Sequence, residues 1–124
     1  MIPRSDELMA SAKDRLALAR TAIETGHPEG AVSAAYYAML YAARAALSED
    51  DRYAKTHSGT WMLFRERFVA GGRFDAALEK AASSTQRQRE AADYDAVLIS
   101  SESAEEIVGL AGRFVSAVEA MLVD

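Results

Sequence analysis

Apolar residues recur along this chain at steps of three and four, and this spacing restricts the chain to helices almost throughout. No stretch alternates apolar and polar residues between turns, as the strands of an antiparallel sheet would. Gly26 and Pro28 interrupt the pattern, so one long helix ends there and another begins. Because this connection is so short, the two helices must pack as antiparallel neighbours. We therefore predict an all-α, up-and-down bundle of four long helices plus one short helix, forming a single domain over residues 1–124.

Capping residues and glycines divide the periodic pattern into five helical segments. Ser5 is predicted to cap the first helix and Ser58 the third, and Ser103 forms a capping box with Glu106 at the start of the fifth. The predicted segments run from Ser5 to Thr25, from Pro28 to about Ser48, from Ser58 to the Gly71–Gly72 pair, from about Phe74 into the polar stretch at Gln86, and from Ser103 to Leu122.

Within these segments, the apolar side chains at helical spacing are expected to face the core. On the second helix they form a stripe that consists of Val32, Tyr36, Met39, Leu40, Ala43 and Leu47. On the fourth helix the predicted inward residues are Ala77, Leu78, Ala81 and Ala82.

The charge balance and the missing residue types exclude several functions. With 14 basic and 19 acidic residues the net charge is −5, which argues against a protein that coats nucleic acid through a broad basic surface. The absence of cysteine excludes thiol nucleophiles and cysteine-ligated zinc. With only two histidines, a histidine-rich metal site is not expected either. No stretch is apolar enough to span a bilayer comfortably, and the first residues lack a signal core. We expect a cytoplasmic protein without a metal or cofactor.

A second stripe on the predicted second helix carries aromatic and cationic side chains. Tyr37, Tyr41 and Arg44 follow one another at i, i+4 and i+7 beside the apolar stripe. In one interpretation the tyrosines fill a helix–helix or subunit contact, and the stem of Arg44 packs on them. In the other, Arg44 lies half-buried in order to bind a carboxylate or a phosphate.

The stretch just before the predicted third helix is another candidate site. Lys55, His57, two hydroxyl residues and Gly59 stand where unpaired N–H groups and the helix dipole favour an anion. The spacing does not match a P-loop, so capping and loop-fixing roles for His57 and Ser58 are the simpler interpretation.

The densest group of polar residues lies in the stretch 87–95. Arg89 and Asp93 are spaced to pair on a helix, while Arg87 lies on a different face. The stretch is either a solvated helix end or a site where two guanidiniums hold a phosphate and Tyr94 stacks on a base. No spacing typical of acid–base or metal chemistry accompanies it.

Three ordered blocks resemble the HEPN family (higher eukaryotes and prokaryotes nucleotide-binding domain), most of all its short stand-alone prokaryotic members. The blocks are residues 34–47, Lys55 to Gly59, and Arg89 with residues 92–95. The resemblance extends from about Leu8 to Leu122, nearly the whole chain. It implies a helical bundle that is commonly a homodimer and is often encoded beside a small nucleotidyltransferase, in a two-gene module of the toxin–antitoxin type.

Many HEPN proteins are metal-independent ribonucleases, whose motif is an arginine and then a histidine, often with a tyrosine two positions later. Arg87 and Tyr94 match the outer positions of that motif, but Ala92 stands where the histidine is expected. If the motif starts at Arg89 instead, the same five-residue spacing that leads from Arg87 to Ala92 leads to Tyr94, so a histidine is again missing. Alanine can neither take nor donate a proton, and the loss of such a group typically costs a factor of about 10²–10⁴ in rate. The ribonuclease inference therefore does not transfer.

The sequence thus predicts a non-catalytic nucleotide- or RNA-binding or partner module, paired with a small nucleotidyltransferase. The alternative is a divergent metal-independent endoribonuclease that works without the motif histidine. The resemblance also makes Tyr94 a candidate acceptor of a nucleotidyl group. The residues predicted to hold a ligand phosphate near a dimer seam are Arg87, Arg89, Tyr94, Arg44, Lys55 and His57. The residues expected to be covered in a symmetric homodimer contact are Tyr37, Tyr41 and Trp61.

Overall fold

The computed structural model describes residues 1–94 and 98–123. Within these residues, all regular structure is helical, which confirms the predicted all-α bundle of four long helices plus one short helix. Asp95 and the side chain of Ala92, both part of the third sequence block, lie outside what is described. The helices are α1 (Pro3–Glu24), α2 (Pro28–Glu49), α3 (His57–Phe64), α4 (Ala76–Tyr94) and α5 (Ser101–Leu122), and a π-helical turn (Arg65–Val69) continues α3 directly.

Helix α2 lies at the centre of the bundle and packs against each of the other four helices. Alanines on its circumference allow this, because small side chains let neighbouring helices approach on several sides. The predicted inward stripe of α2 is confirmed, since all six of its residues are buried. The buried alanines are Ala31, Ala34, Ala35, Ala38, Ala42, Ala43, Ala45 and Ala46. In the described part of the chain, no helix is both long and apolar enough to cross a membrane.

An aromatic core lies where α3, its π-helical extension and α5 meet. The ring of Phe64 lies 5.0 Å from Phe68, 5.0 Å from Phe74 and 5.6 Å from Phe114. Trp61 packs on Phe114 at 5.6 Å and is only 2% exposed. Trp61, Phe64 and Phe68 are all buried, as their core spacing on the third helix predicts. The further expectation that a second subunit covers Trp61 is wrong, because its own chain already buries it.

The predicted caps of α3 and α5 are also wrong. The hydroxyl of Thr56 accepts the N–H of Gly59 at 2.9 Å, so Thr56 and not Ser58 caps α3. In the same way, Ser100 accepts the N–H of Ser103 at 3.1 Å, so the cap of α5 lies three residues before the expected one and the helix begins at Ser101. Several hydroxyl residues precede each helix, and the one that caps is the one whose oxygen lies over an unpaired N–H.

Two expectations about α1 and α4 fail for other reasons. Helix α1 begins at Pro3, before the predicted cap Ser5, because proline lacks an N–H and has a fixed φ that suits the first helical turn. On α4, Ala77 and Ala81 are exposed. Ala82 is buried and Leu78 packs partly buried against the core, as predicted. The other buried side chains described on α4 are polar, so an apolar criterion misses them; they are Glu79, Thr85 and Arg89.

Candidate functional site

The polar inner face of α4 brings Arg89 against the aromatic residues of α2. Arg89 is 7% exposed, and its guanidinium carbon lies 5.6 Å from the ring centre of Tyr36 and 5.4 Å from that of Tyr37. The ring of Tyr94, one turn further along α4, lies 5.9 Å from the same carbon. Such distances are typical of cation–π contacts. We call these four residues, together with His57, the Arg89 cluster.

The charge on Arg89 is only partly compensated by its neighbours. One terminal nitrogen, Nη1, donates to the carboxylate of Asp93 at 3.1 Å, as the i, i+4 spacing predicts. Burial lowers the pKa of Arg89, but contact with Tyr94, Tyr37 and Asp93 outweighs burial and raises it above the ordinary value. The Nε–H of Arg89 is buried and has no acceptor among the described residues. A buried unpaired donor costs about 1–3 kcal/mol, which a ligand oxygen would recover.

A chain of hydrogen bonds fixes the orientation of His57. The indole Nε1–H of Trp61 donates to the hydroxyl oxygen of Tyr36 at 3.2 Å, and that hydroxyl lies 3.2 Å from Nδ1 of His57. Because an indole can only donate, the proton of Tyr36 is free to be donated to Nδ1. When Tyr36 donates to Nδ1, the ring proton of neutral His57 is on Nε2, and this atom is then a hydrogen-bond donor. His57 also meets Tyr37 edge-on, with ring centres 5.8 Å apart.

Nearby cations keep His57 neutral. Burial lowers the pKa of His57 below its ordinary value, the charges of Arg44 and Arg89 lower it further, and Glu90 opposes them only weakly. Burial also raises the pKa of Tyr36, so its phenol stays protonated. At neutral pH the cluster therefore presents a neutral imidazole N–H beside two guanidiniums.

Arg44 connects α2 to the start of α3. It is half-buried, and its Nε–H donates to the hydroxyl of Thr60 at 3.5 Å. Thr60 in turn donates to the carbonyl of Thr56, the capping residue of α3, at 2.8 Å. These bonds hold the segment that carries His57 against the aromatic face of α2.

The tyrosine stripe of α2 is covered by a residue that the sequence interpretation missed. The guanidinium of Arg15, on α1, lies 5.3 Å from the ring centre of Tyr41 and 5.9 Å from that of Tyr37. The ring of Tyr37 therefore contacts two guanidiniums, that of Arg15 on α1 and that of Arg89 on α4. Arg15 lies next to the buried Leu16 of α1, but which rings it contacts depends on how the two helices pack.

The predicted site residues fall into two groups. His57, Arg89 and Tyr94 meet in the Arg89 cluster, and Arg44 lies close enough to affect the charge of His57. Arg87 is exposed and lines a separate cavity that also includes Ser58, Trp61 and Arg65. Lys55 is exposed in the loop before α3.

Two residues of this network were predicted only as packing groups. Tyr36 belonged to the apolar stripe and Trp61 to a subunit contact, yet their polar atoms orient His57. The signal for such a role is general, because buried tyrosine hydroxyls and indole N–H groups usually find hydrogen-bond partners. Among the described residues, no group of three or more histidine, aspartate or glutamate side chains converges on a metal-sized site.

Comparison with known proteins identifies the family of this chain. Similar proteins include a UPF0332 protein of Gloeobacter violaceus, 32% identical over 116 residues that make up 92% of each chain. Two proteins of Methanocaldococcus jannaschii named as candidate toxins are also similar. One is 30% identical over 101 residues, 81% of this chain and 69% of that protein, and the other is 29% identical over 115 residues, 93% and 86% of the two chains. A model of the HEPN domain family matches residues 5–121, which confirms the resemblance: this chain belongs to the HEPN domain family.

Proposed function

We propose that this chain is a non-catalytic HEPN protein that binds the phosphate of a nucleotide or RNA at the Arg89 cluster. The observation that carries the proposal is Arg89 itself. Its guanidinium is buried among phenol rings, and its Nε–H has no acceptor among the described residues. A phosphate oxygen is a strong acceptor for such a group.

We propose that the residues around Arg89 contact the other phosphate oxygens and the base of the nucleotide. In the proposed complex, Nε2–H of His57 and the guanidinium of Arg44 donate to further phosphate oxygens. Tyr94 is 75% exposed, so one face of its ring is open to stack on a base. Asp93 competes with the ligand for one nitrogen of Arg89 only.

Binding without turnover is the simpler interpretation, because RNA cleavage needs two proton transfers. One group must take the proton of the ribose 2′-hydroxyl, and another must donate a proton to the departing 5′-oxygen. The cluster contains one imidazole, whose Nδ1 already bonds to Tyr36. Ala92, at the position expected for the motif histidine, supplies no acid–base group.

The test of binding is a titration of adenosine monophosphate and a short oligoribonucleotide against three proteins. They are the unaltered chain, Arg89→Ala and Arg113→Ala, which removes an equal charge from an exposed position on α5. We expect Arg89→Ala to weaken binding about tenfold or more, as loss of a charge-assisted hydrogen bond implies, and Arg113→Ala to have little effect. Equal binding by all three proteins, or binding by none, would rule out the site.

A divergent endoribonuclease is the second candidate, and the position of His57 favours it. His57 touches Tyr36 and Tyr37, the two rings over which Arg89 lies. In such a reaction the 2′-oxygen attacks phosphorus and loses its proton to water, the bond to the 5′-oxygen breaks, and that oxygen takes a proton from the imidazolium form of His57. The neutral imidazole that remains regains a proton from water. The products are a 2′,3′-cyclic phosphate and a 5′-hydroxyl end.

RNA incubated with the purified chain, and with its His57→Ala and Arg89→Ala variants, separates the two candidates. Cleavage that yields 5′-hydroxyl ends and is lost in both variants would establish the enzyme. Intact RNA at stoichiometric protein would leave the binding function.

The proposed partner is a small nucleotidyltransferase, in a pair of the toxin–antitoxin type. The relatives named as candidate toxins support this context. Tyr94 is the proposed acceptor: its phenol oxygen would attack the α-phosphorus of a nucleoside triphosphate, and pyrophosphate and a proton would leave. Co-expression with the enzyme encoded next to this chain, followed by intact-mass measurement, should reveal one added nucleotidyl group that Tyr94→Phe lacks. A chain that neither co-purifies with that enzyme nor gains mass would contradict the pairing.

We also propose that this chain forms a homodimer. Leu98 is 89% exposed and is the large apolar side chain that we propose a subunit contact covers, while Tyr94 stays open to the ligand. Light scattering at micromolar concentration is expected to give twice the mass of the chain, and the mass of a single chain would rule the dimer out.

A further inference from the structure

A second cavity, of about 380 Å³, lies between the start of α1 and the end of α2. We call it the α1–α2 pocket. Leu8, Leu47 and Ala54 supply apolar lining. Its polar lining includes Arg4, Arg44, Arg52, Tyr41, Tyr53 and Asp51.

A sharp turn after α2 builds one wall of this pocket. Asp51 has a φ of 56°, in the left-handed region that residues other than glycine rarely adopt. The turn lets the N–H of Arg52 donate back to the carbonyl of Leu47 at 2.8 Å. Arg52 and Tyr53 are thereby held beside the last turn of α2 and do not extend away from it.

The start of α1 forms the opposite wall. The backbone N–H of Ile2 donates to the carboxylate of Glu49, at the end of α2, at 3.1 Å. This bond ties the first turn of α1, and with it Arg4, to the rim of the pocket. The carboxylate of Glu49 is thus engaged with the backbone.

The charge of the pocket favours an anion. Within residues 1–94 and 98–123, none of its three guanidiniums takes part in an ion pair. Asp51 is the carboxylate that lines it, and the neighbouring Asp50 is bound to Arg67 at 3.2 Å. Tyr53 is 69% exposed, so its ring is available to a planar group. Guanidiniums beside an open phenol ring suit a phosphate that carries a base.

The pocket and the Arg89 cluster share a wall along α2. Arg44 lines the pocket and also bonds to Thr60 at the start of α3. Tyr41 lines the pocket, and its ring centre lies 6.4 Å from that of Tyr37 in the cluster. At this shared wall, Tyr37 of the cluster and Tyr41 of the pocket are about one helical turn apart, roughly 5.4 Å along the axis of α2. Each site has at least one guanidinium and one exposed tyrosine.

We propose that the α1–α2 pocket holds the nucleotide next to the one at the Arg89 cluster, so that the ligand is a single-stranded oligoribonucleotide and not a free mononucleotide. This inference rests on the proposed function. Arg52 and Arg4 contact the second phosphate, Tyr53 stacks on the second base, and Arg44 lies between the two phosphates.

The experiment compares adenosine monophosphate with a 2′-O-methyl tetra-adenylate, which occupies both sites and cannot be cleaved through its 2′-oxygen. Affinities are measured by calorimetry for the unaltered chain, for Arg52→Ala and Tyr53→Ala in the pocket, for Arg89→Ala in the cluster, and for Arg113→Ala as the charge control. Arg52 and Tyr53 are exposed, so these variants are expected to fold, and thermal melting checks that they do.

We expect the tetramer to bind about tenfold or more tightly than the mononucleotide, because stacking and phosphate contacts add for each unit. Arg52→Ala and Tyr53→Ala should remove that gain and leave the mononucleotide affinity unchanged, while Arg89→Ala weakens both ligands. The loss of one phosphate contact in Arg52→Ala should also reduce the salt slope of tetramer binding by about 0.7.

The outcomes separate this inference from the function on which it rests. If Arg89→Ala weakens both ligands, but Arg52→Ala and Tyr53→Ala bind the tetramer like Arg113→Ala, the second subsite is wrong and the proposed function stands. If Arg52→Ala weakens the mononucleotide as much as the tetramer, the pocket is a site for free nucleotides and the inference is wrong. If Arg89→Ala changes neither ligand, both proposals fail.

Discussion

Trp61 connects two groups of charged residues, because it lines a cavity with Arg65 and donates a hydrogen bond to Tyr36 of the Arg89 cluster. The two groups differ in how the charge of their arginine is compensated. On one side, Arg65 lies 2.9 Å from the carboxylate of Glu79, which is only 2% exposed, so that cation is neutralised within the fold. On the other, Arg89 packs on phenol rings and bonds to one carboxylate, that of Asp93. We call the first group the Arg65–Glu79 pair. In the first pair a partly exposed arginine compensates a buried carboxylate, whereas the buried cation of Arg89 keeps an unused donor and is suited to a ligand.

The largest expected effect comes from removing the side chain that the two regions share. Trp61→Ala should lower the free energy of unfolding by about 3–5 kcal/mol, because a fully packed aromatic residue leaves a cavity and its hydrogen bond to Tyr36 is lost. Denaturant unfolding measures the loss. Trp61→Phe, which keeps most of the packing, is the control and should lose less. A loss below about 1 kcal/mol for the alanine variant would contradict the burial of Trp61.

The Arg65–Glu79 pair should affect stability and not binding. Glu79→Ala should cost about 1–3 kcal/mol in the free energy of unfolding, since it removes the buried partner of Arg65. The affinity for adenosine monophosphate, measured on the folded variant, should stay within about twofold, a change below about 0.5 kcal/mol. A larger loss of affinity would mean that both sides of Trp61 serve the ligand.

A matched pair of substitutions sharpens the contrast between the two arginines. Arg89→Lys keeps the charge but removes the Nε–H and the planar fork, and should weaken nucleotide binding about tenfold. Arg65→Lys makes the same change where the cation only pairs with Glu79, and should leave binding unaltered. Calorimetric titrations measure both, and equal losses would show that charge alone determines binding.

The pH dependence of stability provides a smaller effect that is specific to the Arg89 cluster. Burial and the charges of Arg44 and Arg89 place the pKa of folded His57 below its ordinary value, so the unfolded chain takes up the proton first. The stability that depends on neutral His57 is complete above about pH 6.5 and is lost as the pH falls through the folded pKa.

Unfolding measured between pH 8 and pH 5 should show this loss in the unaltered chain and a smaller slope in His57→Gln. Arg44→Gln should also reduce the slope, because it removes one of the charges that keep His57 neutral. A slope that stays the same in both variants would mean that the Arg89 cluster does not control the proton of His57.

The smallest expected effect concerns Arg87, which is close to Arg89 in sequence but lines another cavity. Arg87→Ala should change nucleotide affinity by less than about twofold, about 0.4 kcal/mol. Direct comparison with Arg89→Ala in the same titration tests it. A loss as large as that of Arg89→Ala would return Arg87 to the binding site.

Much of the fold could be predicted because its signals are local. Gly26 and Pro28 mark the break between α1 and α2, and the spacing of apolar residues identifies the buried stripe of α2. The caps at Thr56 and Ser100 could not be chosen from the sequence, because other hydroxyl residues stand nearby and only the geometry of the chain selects one.

The individual residues of the site could be predicted from the sequence, but their contacts with one another could not. His57 and Arg89 were identified individually from their residue types and neighbours, but their meeting through Tyr36 and Tyr37 depends on the packing of α2, α3 and α4. The buried polar face of α4 was missed for the same reason. Glu79 and Arg89 are acceptable inside the bundle only because other helices supply an arginine and phenol rings.

The alanines of α2 have a consequence for how the chain can vary. A helix that touches four others leaves almost no outward position where a larger residue could be accommodated without moving a neighbour. A substitution that alters binding is therefore accommodated more easily at the exposed residues Arg52 and Tyr53, which lie outside the packed helices and line the α1–α2 pocket.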